Sequence, residues 1–99
     1  MDGTTFKRRE TVVCREVAGE RFLVPIHGHL ADLSELFVLN EVGSVVWDYL
    51  GKRRSLEEVA TRVSSEFEVD KDRALSDAEP FVRGLVAAGL AEECRAVAV

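Results

Sequence analysis

The sequence predicts an α+β domain in which a three-stranded antiparallel sheet is followed by three helices. Three observations carry this prediction: β-branched and aromatic runs confined to the residues before Asn40, cap residues at Asn40, Ser55 and Asp70, and apolar positions at helical spacing after each cap. The first two strands are Thr11 to Val17 and Arg21 to Ile26. Ala18-Gly19-Glu20 separates them, and its glycine supplies the positive φ of a short hairpin. Phe22, Val24 and Ile26 alternate onto one face, while Pro25 cannot donate to a ladder and belongs near the strand's end. Ile26-His27-Gly28-His29 reads as a turn. In Ser34-Glu35-Leu36-Phe37-Val38-Leu39 the last four residues are apolar and stop abruptly at Asn40, giving the third strand.

Asn40 is a favoured N-cap, because its side-chain oxygen can accept from a free N–H of the first turn. Val42, Val45, Val46, Tyr49 and Leu50 then recur at helical spacing, and Gly51 reads as the residue that ends the helix. Ser55 and Glu58 have the spacing of a capping box and open the second helix, whose buried stripe is Leu56, Val59, Ala60, Val63 and Phe67. Glu58 and Arg62 are placed for an i,i+4 ion pair worth roughly 0.2–0.5 kcal/mol.

Asp70 caps a third helix, in which Ala74, Ala78, Phe81, Leu85 and Val86 lead to a Gly89-Leu90 stop. Pro80 interrupts it. An interior proline removes a hydrogen bond and costs about 3 kcal/mol, so the sequence allows a kink between Ser76 and Pro80 or a break in which Asp77 caps a new helix. The core is expected between about residues 11 and 91, with flexible tails; Ala96 to Val99 reads as a frayed end or a short added strand.

Ninety-nine residues, 46% of them apolar, fit one domain spanning residues 1–99, with a single core and no separate catalytic domain. The net charge of −5 argues against general attraction to nucleic acid or to an anionic membrane. Met1 to Phe6 is polar, and no uncharged apolar run reaches the roughly 18 residues of a membrane span, so a cytoplasmic protein is expected. Without a secretory signal, Cys14 and Cys94 read as free thiols. His27 and His29 flank Gly28 without a second ligand cluster, and no Cys-x-x-Cys, Gly-x-Ser-x-Gly or phosphate loop occurs. The chain is therefore expected to be no enzyme and to hold no metal or cofactor of its own.

Leu39-Asn40-Glu41-Val42-Gly43, Trp47, Leu56-Glu57-Glu58-Val59-Ala60, and then Asp77, Phe81, Leu85, Gly89 and Leu90 form an ordered set. In order and spacing it resembles the family of the pyrroloquinoline-quinone biosynthesis protein D, over roughly Thr11 to Ala91. The resemblance implies a winged-helix-like β-β-β-α-α-α fold and a peptide-recognition element that acts as a peptide chaperone. Such an element binds the leader segment of a ribosomally made precursor and presents it to a modifying enzyme, often a radical S-adenosylmethionine enzyme. The leader adds as a strand to the edge of the third strand and lies against the third helix.

On that footing the expected peptide-binding residues are Leu36, Phe37, Val38 and Leu39 on the strand, with Leu75, Ala78, Glu79, Val82 and Arg83 on the helix; Phe81 and Leu85 are assigned mainly to the core. An edge strand offers spare N–H and C=O groups to any extended peptide, which gives the mode a physical basis. The same apolar run also fits an interior strand. Asp77 reads as a cap, a solvated charge or a peptide contact, and Trp47 as the core anchor of the first helix.

Two other classes compete with this reading. A winged-helix domain can bind DNA through its third helix, but from Asp70 to Leu90 Lys71, Arg73 and Arg83 are outnumbered by Asp70, Asp72, Asp77 and Glu79. The basic triplets Lys7-Arg8-Arg9 and Lys52-Arg53-Arg54 lie outside that helix. A self-associating module is the other alternative, because an edge strand can pair with its own copy in a homodimer.

Overall fold

The computed structural model of the chain describes residues 3–27, 30–31 and 37–95, without the side chains of 27, 30 and 31. The elements run β1 (Thr5–Arg8), β2 (Val12–Val17), β3 (Glu20–His27), β4 (Leu30–Ala31), β5 (Phe37–Leu39), α1 (Glu41–Tyr49), α2 (Leu56–Phe67), α3 (Lys71–Ala87) and β6 (Ala91–Cys94). The three expected strands are β2, β3 and β5, and the α+β order is as read from the sequence. No helix among the described residues is long and apolar enough to cross a membrane.

β3 is the centre of the larger sheet. β2 flanks one side, from Val12↔Pro25 to Val17↔Glu20; the other side carries β4 at Ile26↔Ala31 and β5 at Leu23↔Phe37 through Arg21↔Leu39, all antiparallel. The β2–β3 turn places both Ala18 (φ 54°) and Gly19 (φ 84°) in left-handed conformations, the geometry of a two-residue hairpin turn that matches sheet twist. Alanine pays a Cβ clash there, so Ala18→Asn is expected to stabilise the fold by up to about 1 kcal/mol. An unchanged or lower urea midpoint would contradict this.

The Ile26 N–H donates to the Thr11 carbonyl at 2.8 Å, which sets the phase of the ladder. By antiparallel alternation Phe22 and Val24 bond toward β2, whereas Arg21, Leu23 and Pro25 face the other side. Pro25 lacks a donor there, and its position falls between the described ends of β4 and β5, so no described ladder pair loses a bond.

The N-terminal segment expected as a tail is β1, paired with β6 from Thr5↔Cys94 to Arg8↔Ala91. Phe6 is the cause: its ring is 1% exposed within the main core. On its other side the Phe6 N–H donates to the Arg54 carbonyl (2.7 Å) and the Arg54 N–H to the Phe6 carbonyl (2.9 Å). This bridge lays the two basic triplets side by side. Arg8 stacks over Trp47 and Arg54 over Tyr49, at 5.5 and 4.2 Å from the ring centroids, so both serve packing.

Trp47, Leu50, Val59, Val63, Ala78, Val82 and Leu85 of the helices close over Leu23 and Leu39 of the sheet. All three caps form: Asn40 Oδ1 accepts from the Gly43 N–H (2.7 Å), Ser55 Oγ from Glu58 (3.1 Å) and Asp70 Oδ1 from Arg73 (2.8 Å). Glu58 completes its box by accepting from the Ser55 N–H at 3.0 Å. That backward reach overturns the expected Glu58–Arg62 pair, since Glu58 meets Arg54 and Arg62 meets Glu66 instead. Gly51 is not left-handed; it admits Arg8, whose Nη2 would lie 3.1 Å from a Cβ at that position.

α3 runs unbroken through Pro80, so the helix does not restart at Asp77. Pro80 and Ser76 are both exposed, which leaves the Ser76 carbonyl, deprived of its usual partner, open to water. The helix ends as expected at left-handed Gly89 (φ 76°), where the Leu90 N–H bonds to the Leu85 carbonyl and the Gly89 N–H to Val86.

Candidate functional site

β5 pairs with β3 on one side and with no described strand on the other. The ladder phase turns the backbone groups of Phe37 and Leu39 inward, to Leu23 and Arg21, and therefore turns the N–H and C=O of Val38 outward. Val38 also exposes its side chain (56%), which is uncommon for a valine beside an open ladder position. An extended segment laid against this edge would find one matched donor and acceptor at Val38.

Beside the edge lies an open groove of about 690 Å³. Its apolar wall is Phe37 and Phe81, packed edge to face with centroids 5.9 Å apart and an interplanar angle of 68°. Its other wall is the start of α1, with Asn40, Glu41 and Ser44. The cap and the groove share a cause. Asn40 anchors the first turn through Gly43, and Gly43 in turn admits Phe81, whose Cζ would stand 3.0 Å from a Cβ added there.

Three effects compete in Gly43→Ala: a helix-propensity gain of about 0.8–1 kcal/mol, a contact that forces the Phe81 ring to move by a few tenths of an ångström, and a second tight contact, 3.1 Å, with Asn40 Oδ1, the acceptor of the helix cap. The ring borders open space and can yield. The substitution is therefore expected to leave stability within about 1 kcal/mol of wild type while shifting the Phe81 and Phe37 ring resonances. Unmoved ring signals would show that Gly43 does not set the groove wall.

The hairpin end of the groove is polar. Arg21 holds Asp48 through two bonds, Nη2 to Oδ1 at 2.9 Å and Nη1 to Oδ2 at 3.1 Å. Its hydrogen bonds to Asp48 raise its pKa further, so it stays cationic and committed to that partner. Glu16, Glu20 and Glu41 also line this end, and among the described residues no ion pair engages any of the three.

The expected site residues divide. Phe37, Val38 and Leu39 line the groove, Leu39 chiefly through its backbone because its side chain is 5% exposed; Leu36 lies outside the described residues, as do the side chains of His27 and His29. The α3 assignments differ from expectation. Ala78 and Val82 are 0% exposed, locked between helices, and so offer no surface to a ligand. Leu75 packs against the core, and Glu79 pairs with Arg83 at 3.3 Å. Arg83 lines a separate cavity near Tyr49 and Leu56.

The α3 residue that does reach the groove is Phe81, which is half-buried and also packs against the core, as the sequence leads one to expect. Glu41 and Ser44 of α1 were not expected to line it. Helical period alone gives two admissible stripes on α3; the glycine at 43 is the sequence signal for a bulky neighbour, although it does not name which one. For the DNA reading, Arg73 and Arg83 are already paired with Asp77 and Glu79, so α3 presents little free cationic charge.

A family model described as coenzyme PQQ synthesis protein D (PqqD) matches residues 17–91. Among solved structures, the chain resembles TbiB1 in complex with the TbiA(beta) leader peptide, at 28% identity and a TM-score of 0.67, over 87% of this chain and 94% of that one. The comparison with curated proteins finds no match.

Proposed function

The chain belongs to the coenzyme PQQ synthesis protein D family, and on that premise we propose that it binds the leader segment of a ribosomally made precursor peptide by strand addition at β5. The observation that carries this reading is the free edge at Val38 beside the Phe37–Phe81 groove. A bound strand gains backbone hydrogen bonds from the edge, and the groove takes one of its alternate side chains. The similarity to TbiB1, a protein solved with a leader peptide, supports the same occupant.

The chain then acts by binding rather than by catalysis, holding the peptide for a modifying enzyme of the radical S-adenosylmethionine class. Phe37 and Val38 supply the strand contact, with Phe81, Glu41 and Ser44 facing the bound side chains. Leu75, Ala78, Glu79, Val82 and Arg83 support the helix that carries Phe81. Pairing of β5 with a second copy would use the same edge, so peptide and homodimer are mutually exclusive there.

The test looks for a short precursor gene beside that of this chain, whose absence counts against the proposal, and measures binding of the precursor's two halves to the full chain by fluorescence anisotropy and native mass spectrometry. The leader half is expected to bind one chain per peptide, and the core half is expected not to bind. Binding of the core half alone, or a dimer that persists under saturating leader, contradicts the proposal.

A further inference from the structure

We propose that the groove selects leader segments carrying a lysine or arginine close on the N-terminal side of a large apolar residue. This rests on the leader-binding reading above and adds a charge requirement to it. At the hairpin end, Glu16, Glu20 and Glu41 are exposed and have no ion pair among the described residues, and Arg21, the one cation among the described residues that line the groove, is neutralised by Asp48. The free charge on that end of the groove is therefore negative. At the other end the wall is the apolar Phe37–Phe81 pair.

The order of the two ends along β5 fixes the order of the matching residues in the peptide. Phe37 lies at the apolar end, while Leu39 sits in one row with Arg21 and Glu16 across the sheet and is followed by Glu41 at the start of α1. Every ladder of this sheet is antiparallel, and antiparallel pairing is the more stable per residue. A peptide strand in that sense reaches the carboxylates before it reaches the aromatic pair. At about 3.4 Å per residue, its cation falls about two to four residues ahead of its apolar anchor.

A neutral peptide would leave the three carboxylates solvated, and an acidic one would meet like charge on a rim where repulsion lowers both affinity and association rate. Each rim pair is individually weak, so the selection is a modest ratio and depends on salt. Arg21 does not oppose it, because it cannot turn to an acidic peptide without breaking its two bonds to Asp48, and the partial positive charge of the α1 N-terminus that walls the groove is offset by Glu41 at its first position.

The experiment titrates the full chain with three acetylated Thr/Val-rich peptides, each with one central Phe and identical except for Lys, Ser or Glu at the second and fourth positions before it. Isotope-labelled chain reports both affinity and site. The Lys peptide is expected to bind roughly tenfold tighter than the Glu peptide at low salt, with Ser between. The ratio should collapse toward one at about 1 M salt, where the screening length is about 3 Å, and also in the triple variant Glu16→Gln, Glu20→Gln, Glu41→Gln.

Equal affinities with shifts still centred on Phe37–Leu39 would overturn the charge selection and leave strand addition standing. Preference for the Glu peptide would overturn it as well. Failure of all three peptides to bind would overturn selection by this lysine-and-phenylalanine pattern, whereas failure of the precursor's leader half to bind would overturn the leader-binding reading beneath it.

Discussion

Val38→Pro is expected to lower leader affinity by roughly tenfold to a hundredfold while leaving the fold intact, because proline removes the N–H that the ladder phase turns outward. The peptide carbonyl opposite it would lose its donor as it is desolvated, a penalty of about 1–3 kcal/mol. Phe37 and Leu39 keep their bonds to Leu23 and Arg21, so the β3–β5 ladder survives. The check is a binding isotherm beside a circular dichroism spectrum and a melting curve. Wild-type affinity in a folded variant would mean that the Val38 N–H does not serve the peptide.

Phe6→Ala is expected to be the most destabilising single change outside the helices, at about 3–5 kcal/mol. The ring is 1% exposed and belongs to the same core as Trp47 and Leu90. Its removal opens a cavity under β1 and loosens the strand that ties β6 to residue 54. Against a total stability of about 5–15 kcal/mol for a domain of ordinary size, that loss is a large fraction. Urea unfolding should show a much lower midpoint, and a midpoint equal to wild type would contradict the placement of Phe6.

Local signals explain which parts of this fold were legible in the sequence. Asn40, Ser55 with Glu58, Asp70 and Gly89-Leu90 act within a few residues of themselves, and each forms the cap or stop that its chemistry dictates. The β2–β3 hairpin is equally local. β1 was not legible because its partner β6 lies at the other end of the chain, and one phenylalanine among polar neighbours carries no periodicity.

The candidate site was half legible for a similar reason. The strand Phe37–Leu39 stands out as an apolar run that ends at a cap, whereas the choice of helix face depends on packing. Ala78, Val82 and Leu85 form the stripe that the core buries fully, while Phe81 at its border both packs against the core and lines the groove, and both stripes satisfy a period of 3.6. The Asn40–Gly43 pair turns out to be part of the site's construction, since the cap positions α1 and the glycine makes room for Phe81.

The most direct measurement is a residue-resolved NMR titration of the full chain with a leader peptide. The account predicts the largest shift changes at Phe37, Val38 and Leu39, with further changes at Glu41, Ser44 and Phe81 and little movement at Leu75 or Arg83. Changes concentrated on the exposed face of α3 or on β1 and β6, with Val38 unmoved, would contradict strand addition at β5.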